Sequence, residues 1–208
     1  MKKMILLFGL VLFGLVLFAP VIVYGQEKID VPIWSIGDKW TFSDGTTVKV
    51  VNGDEKSYTM QFLTSGGREL VYIHDKSSLN RLYFMQGNKR VPYRGNSKKL
   101  LNFPLHIGKS WKDTFQIQAQ WGSAASPPYT IIETITVSEW EEIAIKAGNF
   151  KAMKLTYRQE RIGEVPAEGK GWYWYSPEVK YLIKCEYEKS RYWAGFNDWE
   201  LTSFELKK

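Results

Sequence analysis

Apolar and polar residues alternate with a period of two along most of the chain beyond residue 25. Tyr58-Thr59-Met60-Gln61-Phe62, Ile131-Ile132-Glu133-Thr134-Ile135-Thr136-Val137 and Lys151-Ala152-Met153-Lys154-Leu155-Thr156-Tyr157 are the clearest runs. Such alternation sets one face of a β-strand on a core and the other toward water. The runs are rich in β-branched and aromatic side chains, which fit a pleated surface. Turn-forming triplets separate them: Ser43-Asp44-Gly45, Asn52-Gly53-Asp54, Ser65-Gly66-Gly67, Gln86-Gly87-Asn88 and Ala147-Gly148-Asn149. Strands joined by such short turns pair antiparallel. The pattern predicts an all-β domain, an antiparallel meander of about eight to ten strands forming a curved sheet or a partial or closed barrel.

One stretch competes with this reading. Ser138-Glu139-Trp140-Glu141 matches a helix capping box. Ile143 and Ile145 nevertheless continue the period of two, and Ala147-Gly148-Asn149 reads as a hairpin turn, so a strand is expected there. Gly122 to Tyr129, with Pro127-Pro128, and Gly163 to Gly171 read as surface loops. A short sequence recurs: Ile36-Gly37-Asp38-Lys39-Trp40-Thr41-Phe42 resembles Ile107-Gly108-Lys109-Ser110-Trp111-Lys112-Asp113-Thr114-Phe115. Pro32 precedes the first and Pro104 the second. In each, a glycine turn delivers the chain into a strand whose first tryptophan fills the core, so the two copies are expected to open two halves of the sheet.

The N-terminus changes the picture of where this domain works. Lys2 and Lys3 precede an apolar run from Met4 to Val23, and small residues lie near Gly25. This describes a secretory signal over residues 1–25, with residues 26–208 as a single β-rich domain. Pro20 favours cleavage, whereas the length of the run keeps a retained anchor over residues 4–23 as the alternative. Export to the periplasm or the cell exterior follows from either form, and membrane contact is expected only through an uncleaved leader. No cysteine lies near Gly25, so no lipid attachment is expected at the cut site.

Composition narrows the chemistry. The net charge of +6 falls to +4 once the two leader lysines are set aside, and the charges are mixed along the chain. The basic cluster Lys89, Arg90, Arg94, Lys98 and Lys99 reads as a solvated loop, and no nucleic-acid partner is expected of an exported chain. Cys185 is the single cysteine, so no internal disulfide can form. It lies in Tyr181-Leu182-Ile183-Lys184-Cys185-Glu186-Tyr187, where Tyr181, Ile183, Cys185 and Tyr187 are expected to share one strand face. The thiol reads as buried and inert. His74 and His106 are the only histidines and read as structural, with no metal site expected. No Gly-x-Ser-x-Gly elbow or phosphate-cradling loop occurs. A pair such as Glu133 and Glu186 cannot be placed across a cleft from sequence, so neither a catalytic set nor a cofactor is expected.

Three elements carry a resemblance: Ile36-Gly37-Asp38-Lys39-Trp40, Ala147-Gly148-Asn149-Phe150-Lys151 and Trp174-Tyr175-Ser176-Pro177-Glu178-Val179, followed by Glu200-Leu201 and Phe204-Glu205-Leu206. In this order the chain resembles exported bacterial β-proteins of a domain-of-unknown-function type. The resemblance implies a curved antiparallel sheet or partial barrel outside the cytoplasm and transfers no catalytic residue.

Aromatic content supplies the candidate site. The chain holds 9 Trp, 12 Tyr and 11 Phe, of which only Phe8, Phe13, Phe18 and Tyr24 lie in the leader, so the remainder can exceed what a core requires. In Trp172-Tyr173-Trp174-Tyr175, Trp172 and Trp174 share one strand face and Tyr173 and Tyr175 the other. One pair can fill the core while the other faces a groove. Tyr192, Trp193, Phe196 and Trp199, around Gly195, form a second cluster. Trp172, Tyr173, Trp174, Tyr175, Tyr192, Trp193 and Trp199 are the expected ligand contacts, since rings can line an apolar pocket or stack on sugars, although core packing and cross-strand pairing are the favoured account of such rings. Two function classes follow. One is a binding module that holds a lipid, another amphipathic ligand or an envelope protein on a curved sheet. The other is a surface protein that uses exposed rings for glycans or structural partners.

Overall fold

The computed structural model describes residues 27–92, 99–117, 120–121, 124–125, 129–163, 166–188 and 197–208. The leader lies outside them, as do Arg94, Lys98, Tyr192 and Trp193 and most of the expected loop from Gly122 to Tyr129. Among the described residues no helix is long and apolar enough to cross a membrane. Fourteen strands form among the described residues. They are β1 (Lys39–Phe42), β2 (Thr47–Gly53), β3 (Ser57–Leu63), β4 (Glu69–Asp75), β5 (Arg81–Gln86), β6 (Lys89–Pro92) and β7 (Ser110–Ile117). After them come β8 (Gln120–Trp121), β9 (Ala124–Ala125), β10 (Tyr129–Ile145), β11 (Gly148–Ile162), β12 (Ala167–Ser176), β13 (Tyr181–Tyr187) and β14 (Trp199–Glu205).

Twelve strands make one antiparallel sheet in the order β6-β5-β4-β3-β2-β1-β14-β13-β12-β11-β10-β7, and β8 with β9 forms a small separate pair. The sheet is open, with β6 and β7 at its edges. It consists of two meanders joined where the last strand, β14, pairs with the first, β1 (Trp40 opposite Phe204). The join continues to β13 through only Lys184 opposite Glu200 and Cys185 opposite Trp199. The five expected turns all fall at the ends of hairpins, and Gly45, Gly67, Gly87 and Gly148 take the positive φ that such turns need.

The contested stretch is strand throughout. β10 and β11 form a hairpin with fifteen paired positions, from Thr130 opposite Ile162 to Ile145 opposite Gly148. Its register slips at Ser138, which bulges between Val137 and Glu139. The bulge reverses which face is inward. Before it, Ile135 and Val137 join Met153, Leu155 and Tyr157 in one buried cluster with Trp111, Tyr173 and Tyr175. Beyond it, Ile143, Phe150 and Ala152 pack on a second cluster around Trp34, Trp40, Val48, Met60 and Leu201. Bulges bend strands, and this one lets a single hairpin serve both cores.

A second bulge corrects the face expected around Cys185. Tyr173 pairs with Cys185, Trp174 with Lys184 and Tyr175 with Leu182, so Ile183 is the extra residue. Leu182 and Cys185 therefore lie in the first cluster and Ile183 in the second. The expected Gly163–Gly171 loop is also mostly strand, because β12 begins at Ala167. Gly171 lies where a Cβ would come within 2.9 Å of the Glu186 carbonyl oxygen, so the hairpin needs glycine there.

The sequence repeat is a structural repeat. Gly37 (φ 99°) and Gly108 (φ 81°) each turn the chain into a strand, β1 and β7. The Gly37 amide donates to Val50, whose own amide donates to Asp38, at 2.8 and 2.9 Å. Gly108 donates to Val137, and Val137 to Lys109, at 2.9 and 2.8 Å. The segments leading into the two turns pair directly, through Ile29 and Leu105.

Candidate functional site

A groove of about 300 Å³ opens where the two core clusters meet. One wall comes from β1–β5 and the turn after β4, through Phe42, Val48, Phe62, His74, Leu79 and Arg81. The other comes from β12–β14, through Tyr173, Tyr181, Leu182, Tyr187 and Trp199, and Trp34, Leu100 and Leu101 line it as well, with Asp44, Thr46 and Asn80 as further polar groups. Strands separated by several positions in sheet order thus face one another, because the open sheet is bent. The volume falls at the small end of ligand sites, and a mostly apolar lining with a few polar groups is their usual character.

The walls are held by ring contacts. Tyr181 stacks on Trp40 at 4.7 Å, and Trp199 meets Phe42 edge-on at 4.9 Å. Trp34 donates its indole N–H to the Lys180 carbonyl at 2.9 Å, and its backbone amide to the Tyr58 hydroxyl at 3.1 Å. These bonds fix its ring beside Tyr181, 5.7 Å away. The Tyr173 and Tyr187 hydroxyls lie 3.4 Å apart. Burial raises the pKa of Tyr173, Tyr181 and Tyr187, so all three remain neutral phenols. Burial also pushes the Cys185 thiol up to about 12, in keeping with an inert sulfur.

The most buried polar side chain of the groove is His74. Its residue is 5% exposed, with the ring stacked 6.4 Å from Phe62 and edge-on to Trp34 at 6.1 Å. Nδ1 lies 2.8 Å from the Leu79 carbonyl oxygen, and Nε2 is buried without a partner. Arg81, opposite His74 on β5, stacks its guanidinium over Tyr72 and Phe62 at 4.3 and 4.8 Å. Burial, reinforced by the positive charge of Arg81, lowers the His74 pKa to about 3.

The seven expected contacts divide. Tyr173 and Trp199 line the groove. Trp174 is buried in the second cluster, its indole N–H donating to Glu141 at 2.6 Å, with Lys184 4.8 Å over its ring. Trp172 packs at the edge of that cluster under Lys170. Tyr175 is fully buried and lines a second cavity with Trp140, Ile29 and Pro177. The tryptophan face of β12 therefore packs on the second cluster, and on the tyrosine face Tyr173 lines the groove while also packing in the first cluster. Tyr192 and Trp193 lie outside the described residues. His74, Phe42, Phe62 and Trp34 went unsuspected as groove residues. The only local signal for His74 was one polar residue closing the apolar run of β4.

Among the described residues no cluster of three His, Cys, Asp or Glu side chains could hold a metal ion. Glu133 accepts from Tyr157 and Gln159 at 2.7 and 2.9 Å, whereas Glu186 pairs with Lys184, so each carboxylate is committed to its own partners. The sequence matches no family model and none of the curated proteins. Solved structures that it resembles include a candidate lipoprotein from Parabacteroides distasonis, 12% identical, spanning 86% of this chain and 100% of that one, with a TM-score of 0.47. The hypothetical lipoprotein YmcC from Escherichia coli is 11% identical over 88% of this chain and 92% of its own, with a TM-score of 0.42. A candidate exported protein with a YmcC-like fold from Bacteroides fragilis is 12% identical over 86% and 99%, with a TM-score of 0.38.

Proposed function

We propose that this chain is an exported binding protein that holds a small amphipathic molecule in the groove between its two half-sheets. The observation that carries the reading is the groove itself: mainly apolar walls from both halves, with Asp44, Thr46, Asn80, Arg81 and the buried His74 as its polar groups. The basic and then apolar N-terminus supports export. The strongly exposed large hydrophobics among the described residues (Ile33, Ile36, Val51, Leu63, Ile107 and Ile162) are aliphatic. That favours an enclosed ligand over a glycan stacked on surface rings. Mass spectrometry of organic extracts of the protein purified from an expressing cell tests the proposal, together with a titration of 1-dodecanol followed by tryptophan fluorescence. A co-purifying amphiphile, or saturable quenching with Trp34 and Trp199 at the walls, is the expected result. An empty extract combined with no saturable response would overturn it.

A further inference from the structure

The Leu79 carbonyl can only accept, so the His74 nitrogen 2.8 Å from it, Nδ1, must carry the proton. The ring is neutral, which leaves Nε2 as a bare lone pair. This tautomer is built in by the turn. Leu79 holds a left-handed backbone (φ 58°), its amide donates to the Asp75 carbonyl at 2.7 Å, and Asp75 accepts from the Ser77 and Ser78 hydroxyls at 2.6 Å each. Phe62 and Trp34 flank the ring. The result is an acceptor, buried and unpartnered, on a residue that lines the groove. A buried acceptor left unmatched is costly, and a group that supplies its hydrogen gains that cost back on binding.

We propose that Nε2 of His74 reads the polar end of the ligand and that this end is a neutral hydrogen-bond donor, a hydroxyl or an N–H, carried on an aliphatic body. This rests on the groove being the ligand site. Val48, Leu79, Leu101 and Leu182 supply the apolar surface for that body. A carboxylate would set its lone pairs against that of Nε2, and an ether or ester offers no hydrogen at all.

The test titrates the full chain with 1-dodecanol, dodecyl methyl ether and dodecanoate, followed by tryptophan fluorescence, and repeats the series on His74→Phe and His74→Gln. The alcohol is expected to bind about tenfold tighter than the ether, one hydrogen bond's worth. His74→Phe should erase that preference while still binding the chain, and His74→Gln, which keeps an acceptor, should retain part of it. The comparison on the unaltered protein needs no variant, so a misfolded substitution leaves it decisive. Equal binding of alcohol and ether overturns the inference and leaves the groove as a site. Tightest binding of dodecanoate overturns it in favour of Arg81 as the reader. Binding of none of the three overturns the groove reading as well.

Discussion

The two strand openings share a backbone device and differ in what they anchor. At β1, the residue after the glycine is Asp38, fully buried, whose carboxylate accepts from the Ser35 amide at 2.8 Å and the Lys207 amide at 2.7 Å. At β7, the same position is Lys109, whose ammonium donates to the carbonyls of Asn102 and Pro104. One opening collects amides and ties the C-terminal segment to the first half, and the other collects carbonyls of its own lead-in. The tryptophans that follow differ as well. Trp40 is 0% exposed on a strand paired on both sides, with its N–H bonded to the Val179 carbonyl at 2.9 Å. Trp111 is 8% exposed on an edge strand, bonded to the Lys99 carbonyl at 2.7 Å. A repeated turn thus specifies how a strand begins, while its place in the sheet decides how much of the molecule depends on it.

That asymmetry is broken most directly by truncating the two tryptophans. Trp40→Ala removes a central ring that stacks on Tyr181 and packs against Trp34, at a cost of about 4 kcal/mol. Trp111→Ala should cost less, about 3 kcal/mol, because an edge site can relax toward solvent. Urea unfolding of both variants measures the difference. Equal losses would mean that the sheet position of the strand does not set its importance.

Two buried ionisable side chains, one in each half, are matched differently. Glu133, in the half opened by Trp111, is matched by two side-chain donors. His74, in the other, has a folded pKa of about 3 against 6.5 for a free imidazole. Between those values the unfolded chain binds a proton that the folded chain refuses. Stability therefore falls as pH drops below 6.5, by roughly 1.4 kcal/mol per unit, or about 3 kcal/mol by pH 4.5. His74→Phe should flatten that part of the profile. An unchanged slope in the variant would assign the acid sensitivity to other groups.

The acid test concerns a residue whose role was the least legible in the sequence. Alternation placed the runs in β3, β10 and β11 and all five turns, because period and turn chemistry are local. Ser138 and Ile183 betray no bulge, since a bulge is defined by a partner strand. Short strands such as β1 and β6, four residues each, fall below what a period of two can register, so the strand number came out low. The aromatic pattern found Tyr173 and Trp199 but not their setting, because the β14–β1 join that bends the sheet links residues more than 150 positions apart. His74 stood out only as a polar residue in an apolar run, and its unpartnered nitrogen depends on Leu79, Phe62 and Trp34 together.

Substituting the residue after each glycine tests the opposite polarities. Asp38→Ala leaves the Ser35 and Lys207 amides without their acceptor, for a loss of about 2 kcal/mol, and should loosen the C-terminal segment first. Lys109→Ala should cost under about 1 kcal/mol, since carbonyls near the surface recover water. Hydrogen exchange at Lys207 distinguishes the two: it should accelerate in the Asp38 variant and stay unchanged in the Lys109 variant.

The smallest effect isolates the backbone device itself. A Cβ at Gly108 would meet nothing within 4 Å, so Gly108→Ala registers only the strain of a positive φ, about 1 kcal/mol. A Cβ at Gly37 would come within 3.1 Å of the Lys207 side chain as well, but against flexible methylenes that can move. Gly37→Ala should therefore exceed Gly108→Ala by only a few tenths of a kcal/mol. A much larger gap would mean that the Lys207 side chain is fixed and that the tie made by Asp38 extends beyond its two hydrogen bonds. A neutral Gly108→Ala would instead remove the positive φ from the requirements of the opening, leaving the paired amide bonds to Val137 and Val50 as what the two openings have in common.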